Sequence, residues 1–328
     1  MSNIVKIDKW NPDPDIIARA ASILRDGRLV AFPTETVYGL GADGENARAV
    51  KKIFLSKGRP QDNPLILHVH DRRVAERLAK CSQRAFDLMD EFWPGPLTLV
   101  LPLLEDSRVP KEVTAGLSTV ALRMPSHPAA LALIEAAGRP LAAPSANKSG
   151  RPSPTDARSV ALDLCDSVDM ILDAGSVDIG LESTVIDLTG DDVLLLRPGG
   201  LSSETLCEFL GFPLRTPLLS DADASKRSPG TRYRHYAPNI GVVIWDKKNP
   251  LASLVAPAVS GFIGLSEPGV PFAHSIVFDS PESYARGLFA SFRSMESEKD
   301  CGCIVVEWPE AEGIGLALRD RIKRAANK

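Results

Sequence analysis

Apolar positions in the first two hundred residues switch repeatedly between two periods. Ile16, Ile17, Ala20, Ile23 and Leu24 share one face of a helix over residues 13–26, and Gly27 supplies a stop. The apolar run Leu29–Phe32 predicts a short strand that leads into Pro33-Thr34-Glu35-Thr36. The same reading predicts helices over 46–56, with Asn46 as a cap, over 72–92 in one or two pieces, over 128–137 and over 155–165. Strands are expected at Leu65–His70, Leu97–Leu101, Thr119–Arg123, Leu141–Ala143, Met170–Asp173, Ser183–Leu188 and Val193–Arg197. Helices and strands mix without strict alternation, so the pattern predicts an α/β fold, a twisted mixed sheet with helices packed against it.

The pattern changes after Pro198-Gly199-Gly200. Residues 213–239 carry few periodic signals and several prolines, which suits a linker or a functional loop better than a stretch of compact core. Apolar runs resume at Ile240, with strands expected at Ile240–Trp245, Gly261–Leu265, Ser275–Phe278 and Cys303–Glu307 and helices over 281–298 and 313–325. The expected division is therefore a first domain over 10–200, a linker over 201–239 and a smaller α/β domain over 240–328.

Composition narrows the function classes. The 328 residues are 44% hydrophobic and 24% charged, ordinary values for a globular chain. A net charge of −4 gives no global basic field for nucleic acid, and 6% aromatics argues against an RNA surface built on base stacking. Cys81, Cys165 and Cys207 stand alone, and Cys301 and Cys303 form a C-x-C with no second pair, so free thiols and no metal site are expected. The start, Met1–Asp8, is too polar for a signal peptide, and no run approaches the ~18 apolar residues of a membrane span. A soluble, cytoplasmic chain is expected.

Three polar loops flank predicted strands, where open α/β sheets bind ligands. In Pro33–Gly41, Thr34 and Thr36 offer hydroxyls, and Gly39 and Gly41 would let the backbone approach a ligand. In Lys57–Asn63, Lys57 and Arg59 place two cations around Gly58; arginine offers a planar fork and lysine a mobile point charge to phosphate or carboxylate. In Ala143–Gly150, Ser145, Asn147 and Ser149 supply the small hydroxyl and amide groups of an anion cradle. Each loop alone is equally an ordinary polar turn. His68 and His70 share a strand face but lack a third metal ligand nearby. Later, Glu182–Val185 opens a strand with hydroxyls, Leu196–Gly199 closes one with Arg197, and Arg232–Tyr236 makes a basic and aromatic cluster in the linker. The sequence contains no P-loop, G-x-G-x-x-G, G-x-S-x-G or H-E-x-x-H motif. The inventory suits a polyanionic nucleotide held beside a second substrate, with catalysis by positioning and charge stabilisation.

Together these segments resemble the YrdC/Sua5 family. The resemblance rests on Pro33-Thr-Glu-Thr-Val-Tyr-Gly-Leu-Gly41, Lys57-Gly-Arg-Pro60 with Asn63-Pro64-Leu65, Pro144-Ser-Ala-Asn147, Glu182-Ser-Thr-Val-Ile-Asp187 and Leu196-Arg-Pro-Gly199. Lys57 and Arg59 match its K-x-R, and Ser145 and Asn147 its S-x-N. Residues 228–238 match the linker of the longer, Sua5-type members, departing at Thr231, where an apolar residue is expected; the remainder matches their extra, Rossmann-like α/β domain.

The resemblance implies threonylcarbamoyl-AMP synthase activity. L-threonine, bicarbonate and ATP, with Mg²⁺, would give threonylcarbamoyl-adenylate and pyrophosphate for the t6A modification of tRNA. It implies that Thr36, His68, Arg123, the backbone of Ala143 and Ser183 hold threonine, with Arg123 on its carboxylate. Arg59, Asn63, Thr119, Ser145, Ser153, Arg197 and Tyr233 would hold ATP. Lys57 and Asn147 would steady phosphates or the carbamate, so that Lys57, Arg59, Ser145 and Asn147 carry catalysis. Downstream t6A transferase proteins are implied partners, without stable nucleic-acid binding or membrane attachment. Two other readings stay open: an RNA-binding or partner-binding module of the same fold without catalysis, and a hydrogenase-maturation carbamoyltransferase, whose zinc-finger C-x-x-C pairs this sequence lacks.

Overall fold

A computed structural model describes residues 3–217, 226–227, 235–248, 250–251 and 255–326. They build two open sheets. The larger is ten-stranded and mixed: β1 (Ile4–Lys6), β2 (Val30–Phe32), β3 (Gly39–Asp43), β4 (Ile66–His68), β5 (Leu97–Pro102), β6 (Thr119–Arg123), β7 (Leu141–Ala142), β8 (Met170–Asp173), β9 (Thr184–Asp187) and β10 (Leu194–Arg197), in the order β1-β8-β2-β3-β7-β4-β6-β5-β9-β10. The smaller contains β11 (Gly241–Trp245), β12 (Ser260–Gly264), β13 (His274–Val277) and β14 (Cys303–Glu307) in the order β11-β14-β12-β13, with every pair parallel. The mixed sheet and the smaller α/β unit agree with the fold class expected from the sequence.

Capping explains where the helices begin and end. The Asp13 carboxylate accepts from the amides of Asp15 and Ile16, and Pro14 sits in the first turn of helix Pro14–Arg25. That helix buries Ile17, Ala20, Ala21 and Leu24 on the face that periodicity assigned to it. Asn46 caps helix Ala47–Lys57 through the amides of Arg48 and Ala49, and Gly58, at φ 60°, ends it. This ending matters for the site, because it sends the side chains on either side of Gly58 in different directions.

Three features differ from the sequence expectation. Gly39–Asp43 is a strand antiparallel to β2, not a loop. A Cβ on Gly41 would meet the Phe32 ring at 2.7 Å, so this glycine serves strand packing and leaves ligand approach to Gly39. Strand β1 precedes residue 10 and pairs with β8; three residues are too few for periodicity to register. Ser203–Leu210 is a helix that buries Leu206 within the stretch expected to be linker. Residues 218–225 and 228–234 of the linker, Tyr233 included, lie outside the described residues.

The two sheets meet through polar clamps. Arg286, on helix Pro281–Glu296, donates to the Asp178 carbonyl at 2.8 Å, Arg293 pairs with Asp163 at 2.7 Å, and Arg151 reaches back to Glu296 at 2.8 Å. Gly180 has φ +86°, and a Cβ there would lie 2.4 Å from the Arg286 Cα, so the two backbones approach as only glycine permits. Among the described residues no helix is long and apolar enough to cross a membrane.

Candidate functional site

A cleft opens on the large sheet, lined from β2 across to β10. Its walls come from strand ends. Thr34 and Thr36 follow β2, His68 ends β4, Arg123 ends β6, Ala143 follows β7, Ser183 precedes β9 and Arg197 ends β10. Register dictates the convergence, since β4 and β6 run parallel with His68 opposite Arg123, while β10 runs antiparallel to β9 and brings Arg197 opposite Val185. Arg59 and Ser145 complete the lining from the two loops that the sequence marked as polar. The Ser145 loop interlocks with Pro33–Gly41, where Leu40 N donates to Pro144 O at 2.8 Å and Ala146 N to Tyr38 O at 2.8 Å, and with the Arg59 loop, where Ser149 N donates to Lys57 O at 2.8 Å.

The groups of this wall are fixed by one another. Thr34 Oγ1 lies 2.8 Å from Thr36 Oγ1 and donates to Val37 O at 2.7 Å. The Arg123 guanidinium donates to Glu35 Oε1 at 2.7 Å, a fully buried ion pair. Arg197 grips the Ser183 carbonyl through Nη2 at 2.9 Å and Nε at 3.2 Å, while the Ser183 hydroxyl sits 2.7 Å from that of Thr98. A Cβ on Gly199 would meet the Ser183 carbonyl carbon at 2.3 Å, so the Arg197-Pro198-Gly199 turn can press against this strand only with glycine there. Burial, followed by the Arg123 charge, depresses the His68 imidazole to about 3, so it is neutral at ordinary pH. Arg59, Arg123 and Arg197 therefore give the cleft a positive lining.

Other sequence-predicted residues stand behind or beside the cleft. Lys57 is buried, with its ammonium donating to the carbonyls of Ser145 at 2.6 Å and Asn147 at 2.5 Å. It ties the Ser145 loop down; burial, with Arg59 adding to it, holds the ammonium pKa well below the ordinary lysine value. Asn147 accepts from Ser145 Oγ at 2.5 Å and donates to the carbonyls of Lys148 and Arg151. Asn63 is buried beneath Arg59, whose Nη2 donates to Pro64 O at 3.1 Å. Ser153 donates to Glu182 Oε1 at 2.5 Å. Thr119 opens β6 opposite Pro102 and is not among the lining residues. Tyr233 lies outside the described residues.

Sequence reasoning gave no role to Glu35, the partner of Arg123, nor to Glu182, and none individually to His235 and Tyr236; the last three line the cleft. Burial alone would raise the Glu182 carboxyl. The guanidiniums of Arg321 and Arg197 outweigh that and hold it below the ordinary carboxylate value. His235 is depressed to about 3 by burial and then by Arg59 and Lys57. The basic and aromatic cluster of the linker was the available signal for these two residues.

Comparison with known proteins places the chain in a family. The Sua5/YciO/YrdC family model, described as "Telomere recombination", matches residues 22–199, and the model "Threonylcarbamoyl-AMP synthase, C-terminal domain" matches residues 201–327. The chain belongs to the Sua5 branch of this family. A threonylcarbamoyl-AMP synthase of Pyrococcus abyssi is 42% identical over 98% of this chain and 95% of its own length. One of Bacillus subtilis is 44% identical over 97% of this chain and 95% of its own length. The crystal structure of P. abyssi Sua5 complexed with L-threonine matches with a TM-score of 0.90 and 42% identity, covering 98% of this chain and 97% of that one.

Proposed function

We propose that this Sua5-family chain is an L-threonylcarbamoyladenylate synthase, a nucleotidyltransferase that joins L-threonine, bicarbonate and ATP into threonylcarbamoyl-AMP with release of pyrophosphate. The observation that carries the reading is the convergence of Arg59, Ser145 and Arg197, distant in sequence, on one cleft with Thr36, His68, Arg123, Ala143 and Ser183. In the reaction, the threonine amine adds to bicarbonate with loss of water. A carboxylate oxygen of the resulting N-carboxy-threonine attacks the α-phosphorus of ATP, and pyrophosphate leaves. Negative charge grows on phosphate oxygens throughout, so the protein's contribution is alignment and fixed positive charge.

The roles follow from chemistry. Arg123 takes the amino-acid carboxylate, with Thr36, His68, Ser183 and the Ala143 backbone around the rest of threonine. Neutral His68 hydrogen-bonds without adding charge. Arg59, Ser145 and Arg197 take the triphosphate, supported by Asn63 and Ser153, while Thr119, outside that lining, and Tyr233, outside the described residues, would reach the nucleotide from beyond it, Tyr233 to exclude water from a hydrolysable product. Lys57 and Asn147 act through the Ser145 loop that they brace. Mg²⁺ would arrive on the triphosphate. The nearby carboxylates, Glu35 and Glu182, are engaged by Arg123 and Arg321, so they make a poor metal-ligand set. Residues 10–200 would be the catalytic domain, 201–239 the covering linker and 240–328 its supporting domain. The product would pass to t6A transferase proteins in the cytoplasm.

The test is threonine-dependent pyrophosphate release. The expected result is release that requires threonine, bicarbonate and ATP together, with threonylcarbamoyl-AMP formed in equal amount. Release without threonine, or steep salt-sensitive RNA binding with no release, refutes the reading.

A further inference from the structure

We propose that Arg321, on the last helix of the small-sheet unit, is a positioning residue for the nucleotide half of the cleft. It would act by neutralising Glu182 and holding Tyr236. The proposal rests on the synthase reading given above. Arg321 is 0% exposed although it carries a charge, and it lies in helix Gly315–Ala326, far along the chain from the strands that build the cleft. Its Nε donates to Glu182 Oε2 at 2.7 Å, its Nη1 to Asp320 Oδ2 at 2.6 Å, and its guanidinium carbon sits 5.1 Å from the Tyr236 ring centroid.

Glu182 is an awkward residue for a cleft that takes a triphosphate. Its carboxylate lines the wall, one oxygen accepts from Ser153, and unneutralised it would repel phosphate. Arg197 adds nearby positive charge while its Nη2 holds the Ser183 carbonyl and hydroxyl, whereas Arg321 donates to the Glu182 carboxylate directly. Arg321 supplies the counter-charge from outside the large sheet. The wall then presents Arg197 to the nucleotide without a bare negative charge beside it.

Arg321 also secures an unfavourable backbone. Tyr236 has φ +68°, a conformation that bulky residues avoid, and persists where its surroundings over-determine it. Those surroundings are the Phe289 ring, stacked at 5.3 Å, and the Arg321 guanidinium, both from the small-sheet unit. The small unit thereby reaches the cleft through charge and through the linker's end.

The experiment titrates ATP and, separately, L-threonine into the full-length chain by calorimetry, for the wild type, Arg321→Met, Arg321→Lys and the Arg321→Met/Glu182→Gln double variant. Arg321→Met is expected to weaken ATP about tenfold while threonine stays within about twofold, because an unpaired buried carboxylate then faces the phosphates. Arg321→Lys and the double variant, neither of which leaves that charge alone, should recover to within about threefold of wild type. Unchanged ATP affinity in Arg321→Met, or a double variant no better than the single, overturns the proposal. Should Arg321→Met fail to fold, the double variant decides: it removes both buried charges, must fold, and must bind ATP near the wild-type level. Wild-type pyrophosphate release is measured alongside. Its absence would refute the synthase reading, while the ATP titrations would still report on Arg321.

Discussion

The two sheets end their strands in opposite ways. At the carboxyl end of β14, Glu307 is buried, but its Oε2 already accepts from the amides of Leu265 and Ser266 and from the Ser266 hydroxyl, and Oε1 pairs with Lys247 at 2.6 Å. Every group there answers another group of the same unit. At the ends of β4, β6 and β10 in the large sheet, His68, Arg123 and Arg197 are just as buried, yet each also faces a shared void. A strand-end position is therefore not sufficient for a site. The strand end of the small unit also lines a pocket, but its charges balance, with Asp246, Glu307 and Glu310 against Lys247, Lys248 and Arg319; what distinguishes the large sheet is an excess of arginine over carboxylate set among hydroxyls. The small unit instead turns its buried arginines, Arg293 and Arg321, toward its neighbour.

Breaking the cleft itself should have the largest effect. Arg59→Ala removes a half-buried cation from the lining and should slow pyrophosphate release about a thousandfold, roughly 4 kcal/mol of transition-state stabilisation, with little change in unfolding midpoint. Lys57→Ala, two residues away, sharpens the contrast. Its ammonium holds two loop carbonyls, so about 3 kcal/mol of stability should go with it, read as a lower denaturant midpoint. Lost activity at an unchanged midpoint would instead return Lys57 to the cleft wall.

Gly180→Ala tests the clamp between the units. The added methyl would collide with the Arg286 backbone at a positive φ, and a loss of about 2 kcal/mol is expected in thermal unfolding. A neutral result would mean that the units are not tightly packed there.

The smallest effect is a pH slope. Folding depresses His68 and His235 to about 3 and His127 to about 4, in each case chiefly by burial. The unfolded chain protonates these imidazoles below about 6.5 while the folded chain does not, so stability is lost as pH falls from there toward 4. Each contributes about 1.4 kcal/mol per pH unit in that window, and His68→Gln should flatten the slope of thermal stability against pH. A profile independent of pH between 7 and 5 contradicts the burial of neutral imidazoles.

Much of this was legible before folding. Arg59, Ser145 and Arg197 stood in polar breaks beside apolar runs punctuated by glycine and proline, and the structure brings them to one cleft. Lys57 looked equivalent to Arg59 by spacing alone. Helical periodicity, carried one step further, places it on the face of Val50, Ile53 and Phe54, which is the buried one. The carboxylate partnerships were not legible. Glu35 finds Arg123 across 88 residues and Glu182 finds Arg321 across 139, and no local pattern encodes a pairing that register and interface geometry create. Strand β3 was hidden for a different reason: Gly39-Leu40-Gly41 reads as a turn, and only pairing with β2 and β7 makes it a strand.

The central claim is that one cleft holds a nucleotide and an amino acid side by side through separate groups. The most direct measurement is calorimetric titration of ATP and L-threonine, singly and together, into the wild type, Arg59→Ala and Thr36→Val. One molecule of each is expected to bind per chain, with Arg59→Ala losing ATP while keeping threonine and Thr36→Val doing the reverse. Mutual exclusion of the two ligands, or both variants binding both ligands as the wild type does, would contradict it.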